Sequence, residues 1–108
     1  MTCKSLVNCR GLVELLSTIE VMPLKKLILR GNKIGNVGIV KLCKTIEEAH
    51  KTKLEYLDLG QNEFTDTGAE ALYNLKKRMK SMKTLLIDGN DKLSEETKNR
   101  LHLICEPQ

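Results

Sequence analysis

A chain of 108 residues suits one domain, and 41% hydrophobic residues are enough to bury a real core. One Phe, two Tyr and no Trp make that core aliphatic, which argues for stacked leucines and against a sandwich or a ligand barrel. Eighteen basic residues against fourteen acidic ones leave a net charge of +4, mixed in sign and small for a nucleic-acid binder. No apolar run approaches a membrane span and no charged-then-apolar segment opens the chain, so a cytoplasmic protein is expected. Cys3, Cys9, Cys43 and Cys105 lack metal-ligand spacing and are expected as reduced thiols packed as small hydrophobes. The rival reading is a disulfide between Cys3 and Cys9, which needs an oxidising compartment.

The first predicted helix covers Gly11 to Ile19, where Leu12, Val13, Leu15, Leu16 and Ile19 form an apolar stripe at helical spacing. Pro23 breaks it and pushes Met22 towards an extended conformation. Leu24 to Arg30 alternates as a strand, Gly31-Asn32 marks its end, and Asn36 is placed to cap a second helix running to about His50. Ile39, Leu42, Cys43 and Ile46 form its buried side, with Glu47, Glu48, His50 and Lys51 outward.

A second strand follows in Leu54, Leu57 and Leu59, then Asn62 and Phe64. Asp66 takes the place of Asn36 and opens a helix with Ala69, Leu72, Leu75 and Met79 on one face. The third unit repeats the pattern as Met82, Leu85, Ile87, Asn90 and Leu93. Ser94 then starts a helix with Glu95 and Glu96 in its first turn, where the dipole favours acids. Leu101 and Ile104 face inward, and Pro107 forbids much continuation.

The asparagines set the period. Asn32 to Asn62 is 30 residues and Asn62 to Asn90 is 28, which leaves room for a whole helix after each strand. Gly38 and Gly68 sit six after their asparagines, and Leu42 and Leu72 sit ten after. The pattern L-x-x-L-x-L-x-x-N-x-I/F-x-x-x-G-x-x-x-L resembles the ribonuclease-inhibitor type of leucine-rich repeat over residues 24 to 104. The resemblance implies an α/β solenoid, a horseshoe segment with parallel strands on the concave face and helices on the convex one. It divides one domain, residues 1–108, into a partial repeat 1–23, repeats 24–53 and 54–81, and a C-terminal repeat 82–108. The ends depart from the pattern. Aligning Gly11 with Gly38 puts Ser5 and Val7 where the asparagine and Ile34 belong, with almost no residues left for a strand. The last unit lacks the glycine, and Leu93 falls three after Asn90 instead of two. Degenerate caps, a piece of a longer array, or a homodimer through unfinished ends all fit, because terminal repeats need polar outer faces.

Alternation points the leucines inward and the intervening residues outward. Asn32, Asn62 and Asn90 are expected as scaffold, each pairing buried backbone with its donor and its acceptor. Function then belongs to the other face, in three columns: Lys26, Tyr56 and Thr84; Ile28, Asp58 and Leu86; Arg30, Gly60 and Asp88. Lys33, Glu63 and Asp91 extend it past the asparagines. Ile28 and Leu86, as exposed aliphatics, and Tyr56, as an anchor, are the expected contacts. The run from Lys76 to Lys83 reads as a basic helix end complementing the dipole, with Met79 and Met82 turned inward, and secondarily as a nuclear-import or nucleic-acid patch.

Catalysis has little to stand on. His50 and His102 fall in different helices with no nucleophile at a recognisable spacing, and the segment 31–35 lacks the spacing of a phosphate loop. No cofactor or metal is expected. The reading is non-enzymatic protein binding by a recognition module or adaptor, with no membrane expected as a partner and protein expected over nucleic acid. Ran GTPase activators resemble this repeat type, which implies the alternative of a GTPase-activating protein using Arg30, Lys33 or Glu63. A structural segment of a longer repeat protein is a further alternative.

Overall fold

The structure is a computed structural model that describes residues 9–21, 24–48 and 53–105. Four helices alternate with three strands: α1 Cys9–Val21, β1 Lys26–Ile28, α2 Asn36–Glu48, β2 Tyr56–Asp58, α3 Asp66–Arg78, β3 Thr84–Leu86 and α4 Glu95–Cys105. The strands form one parallel sheet in the order β1-β2-β3, and the helices pack side by side, α1 on α2, α2 on α3 and α3 on α4. This is an α/β leucine-rich-repeat solenoid segment. Lys26, Tyr56 and Thr84 share one register position, and Ile28, Asp58 and Leu86 share another, two residues along each strand.

Each strand is shorter than the expected span of Leu24 to Arg30, yet backbone pairing continues past both ends. The Leu29 and Gly31 N–H groups donate to the carbonyls of Asp58 and Gly60, at 2.8 and 3.0 Å. Leu59 and Gln61 donate in the same way to Leu86 and Asp88, each at 2.8 Å. Leu27, Leu29, Leu57, Leu59 and Phe64 are wholly buried between this sheet and the helices. Each such side chain contributes about 1.5–3 kcal/mol on removal from water, so the aliphatic stack is the main source of stability. The inward faces fall where periodicity puts them: Leu15 and Ile19 on α1, Ile39, Leu42, Cys43 and Ile46 on α2, Ala69, Leu72 and Leu75 on α3, Leu101 on α4. Leu93 is also buried, because a tight turn, closed by its N–H on the Asn90 carbonyl at 3.1 Å, absorbs the extra residue.

The helix starts correct one expectation. Asn36 and Asp66 are first residues of their helices and do not cap them, and the first i→i+4 bonds close on the carbonyls of Gly35, Thr65 and Ser94. Asn36 reaches instead into the following repeat, where its Oδ1 accepts from the Thr65 and Gly68 N–H groups, each at 2.9 Å, while its Nδ2 donates to Thr65 Oγ1 at 2.8 Å. Asp66 does the same one repeat on, accepting from the Ser94 N–H at 2.9 Å, a contact that holds its carboxyl below the usual range. A Cβ on Gly68 would lie 2.7 Å from Asn36 Oδ1, so the glycine after the ladder asparagine serves close approach between repeats.

Cys43 is a free thiol, pushed up to about 12 by burial and by Glu47, and packs as a small hydrophobe. Cys3, Ser5, Val7, Met22, Pro23, His50 and Pro107 lie outside the described residues, as do the side chains of Cys9, Leu12, Val13, His102, Ile104 and Cys105. Among the described residues no helix is long and apolar enough to cross a membrane. Val37 and Val40 on α2, 70% and 44% exposed, are open aliphatics on the helical side that periodicity did not single out.

Candidate protein-recognition face

Beneath the strand face the asparagines form a continuous ladder. The Asn62 side chain accepts from the Asn32 and Ile34 N–H groups at 2.9 and 3.2 Å, and donates to the carbonyls of Leu29 and Gly60 at 2.8 and 3.0 Å. Asn90 repeats the arrangement, accepting from the Asn62 N–H at 2.8 Å and donating to the Leu59 and Ile87 carbonyls. Among the described residues no buried side-chain polar atom lacks a partner. The ladder asparagines are scaffold, saturated by backbone.

The ladder fixes the loops that rim the face. Gly31, Gln61 and Gly89, each just before an asparagine, take left-handed backbone with φ of +73°, +53° and +77°. Lys33 and Glu63, each just after one, are left-handed as well, with φ of +54° and +61°. Glycine frees the first position in two repeats, whereas Gln61, Lys33 and Glu63 hold a conformation that costs an L-residue about 1–2 kcal/mol. Lys33 and Glu63 are exposed there, as is Asp91 in the third repeat.

The three columns form as the spacing predicts, but their side chains are not equally open. In the first, Lys26 is exposed and its Nζ lies 4.7 Å from the Tyr56 ring centre, while Tyr56 and Thr84 are half-buried. In the second, Ile28 and Leu86 are half-buried, and Asp58 departs from expectation. It is buried, at 6% exposure, because its carboxylate folds along its own strand. Its Oδ1 accepts from the Gly60 N–H at 3.0 Å, and its Oδ2 accepts from Arg30 Nε at 3.0 Å.

The third column explains that recess. Arg30 lies across Gly60, where a Cβ would meet its guanidinium at 2.5 Å, and grips Asp88 with Nη1 and Nη2 at 2.8 and 2.5 Å. One arginine therefore joins all three repeats, Nε on Asp58 and a two-pronged contact on Asp88. Asp88, then Asp58, raises the arginine above its ordinary range, and Arg30 in turn holds the Asp88 carboxyl below the usual range. Periodicity could align Arg30, Gly60 and Asp88 but not show that the missing side chain in the middle is the path for the first to reach the third. The readable signal was a lone glycine between opposite charges in one column.

The basic run 76–83 divides its tasks. Lys76 Nζ donates to the Met82 carbonyl, Lys77 stands over the Tyr73 ring, Arg78 pairs with Glu47, and Met82 is buried. Among the described residues no group of three or more His, Cys, Asp or Glu is placed to hold a metal ion.

Sequence comparison agrees with this geometry. The family profile described as Leucine Rich repeat matches residues 22–43 and 50–72, each a strand with the first half of the helix that follows it. This is a leucine-rich-repeat chain of the ribonuclease-inhibitor type. The leucine-rich-repeat chain is also 40% identical over 73 residues to RAN GTPase-activating protein 2 of Arabidopsis thaliana. The match takes in 68% of this chain and 13% of that protein.

Proposed function

We propose that this leucine-rich-repeat chain is a protein-recognition module that binds a partner across its strand face. The observation that carries the reading is the rigid register of that face: Lys26–Tyr56–Thr84 and Ile28–Leu86 are held by sheet pairing, and Arg30, Asp58 and Asp88 lock the repeats beside them. Side chains fixed before binding lower the ordering cost of binding. Ile28, Leu86 and Tyr56 supply apolar contact, while Lys26 and Asp88 set opposite charges at the two ends of the strands. Three strands are a small face against the roughly 800 Å² per partner of a stable interface, so binding is weak or recruits rims and further repeats. A cytoplasmic setting belongs to this reading and is supported by Cys43, a buried thiol with no bridge. Replacing Ile28 and Leu86 with Glu is expected to abolish co-purification of the partner while helical circular dichroism persists. An unchanged pull-down would remove the strand face as the site.

The likeness to RAN GTPase-activating protein 2 favours a second reading, in which this segment contributes to a GTPase-activating surface within a longer array. Arg30 is occupied by two carboxylates, which leaves the left-handed rim residues Lys33 and Glu63 as the more available groups. A GTP-hydrolysis assay against a panel of small GTPases separates the two readings, because acceleration by this chain would exceed simple binding.

A further inference from the structure

Parallel strands with antiparallel helices bring every helix end and every strand start to one edge of the molecule. At that edge Lys25, Lys26 and Lys53 join the five cations of the run 76–83, against Glu47, Glu48 and Glu55 among the residues whose side chains are described. The opposite edge carries Asp66, Asp88, Asp91, Glu63 and the two glutamates that open α4, against Arg30, Lys33 and Lys92 among the residues whose side chains are described. The charge is thus polarised along the strand direction, although the net charge is modest.

Backbone contacts gather the cations. The Glu55 N–H donates to the Lys25 carbonyl and the Lys83 N–H to the Glu55 carbonyl, each at 2.8 Å, so Lys25, Glu55 and Lys83 stand in one row. Ser81 Oγ donates to the Leu54 carbonyl at 3.0 Å and seats the loop before β3 beside Lys53. Helix-dipole complementarity accounts for the cations in the last turn of α3. It does not account for Lys25, Lys53, Lys80 and Lys83, which lie outside helices, stand exposed, and take part in no ion pair among the described residues.

We propose that this strand-start edge docks an acidic segment of a partner protein, a stretch rich in Asp and Glu. It adjoins the strand columns and shares Lys26 with the first of them. Charge complementarity favours such a segment over nucleic acid for three reasons. Apart from Arg78, which pairs with Glu47, the edge presents lysines, which lack the fork geometry that suits phosphates. Glu55 interrupts the row, so the cations stand in separate groups and not along the continuous track that a phosphate backbone follows. Tyr56, the aromatic at this edge, is half-buried with Lys26 over its ring, so a base would have to displace that cation to stack there.

The test is fluorescence anisotropy of a labelled decaglutamate peptide titrated with the 108-residue chain at low salt. Reversing three exposed charges together, Lys25→Glu, Lys53→Glu and Lys83→Glu, is expected to weaken binding about tenfold or more with circular dichroism unchanged. A control of equal net charge, with Lys41→Glu, Lys92→Glu and Lys98→Glu away from the edge, is expected to change it by less than about twofold. Failure of the native chain to bind decaglutamate would overturn the proposal, as would equal weakening in the control. Tighter binding of a thymidine decanucleotide than of the peptide would overturn it in favour of a nucleic-acid edge.

Discussion

Asn62 carries more of the structure than any other polar side chain described. Its one amide accepts from two backbone N–H groups of the repeat before it and donates to two carbonyls, all buried. Truncation to Ala strands the Asn32 and Ile34 N–H groups away from water, and each unpaired buried group costs about 1–3 kcal/mol. Asn62→Ala is therefore expected to lower stability by roughly 3–5 kcal/mol in urea unfolding, at the upper end for single substitutions. Gly60 works in the opposite way, by what it lacks. With any side chain there, Arg30 could not lie flat between Asp58 and Asp88.

At the scale of the element, the helices are joined by their first turns as well as by their apolar faces. Asn36 and Asp66 spend their side chains on the repeat that follows, so the start of each later helix is satisfied by its predecessor. Asn36→Ala removes the acceptor of Thr65 and Gly68 together and is expected to destabilise by about 1–2 kcal/mol, comparable to loss of a helix cap. Asn36→Asp keeps the acceptor, as Asp66 does naturally in the next repeat, and is expected to recover most of that loss. Thermal unfolding of the two variants side by side checks it, and equal losses would show that the donated bond to Thr65 Oγ1 matters more than the accepted ones.

At the scale of the whole molecule, one ion-pair cluster spans the array: Arg30 from the first full repeat, Asp58 from the second and Asp88 from the third. Asp88 is 64% exposed, so its pair with Arg30 contributes at most about 1 kcal/mol. The pH dependence has a definite sign. Because the folded Asp88 carboxyl is held below its unfolded value of about 3.9, its contribution is complete above that value and is lost as pH falls through the folded one. The Arg30 Nη–H resonances, whose hydrogens are donated to Asp88, are expected to shift as acid is added below that range, and Asp88→Asn is expected to flatten the part of the profile that Asp88 supplies. A profile identical in the variant would mean that Asp58 alone holds the arginine.

The order of strands and helices, the inward leucines and the role of the asparagines were legible in the sequence, because they rest on spacings of two, about 3.6 and about 29 that survive without coordinates. The columns of the strand face were legible for the same reason: parallel pairing in register follows from equal repeats. Which side chains in those columns stay open was decided by the tertiary structure. Asp58 is outward by alternation and buried in fact, since its carboxylate folds onto the Gly60 N–H and is held there by Arg30, a contact 28 residues apart in the chain. The reach of Asn36 into the next helix, and the meeting of Lys25 and Lys53 with the run 76–83, are likewise contacts between repeats. Periodicity specifies what each repeat repeats. How one repeat's side chains lean on the next depends on their individual lengths and charges, and only stacking brings those together.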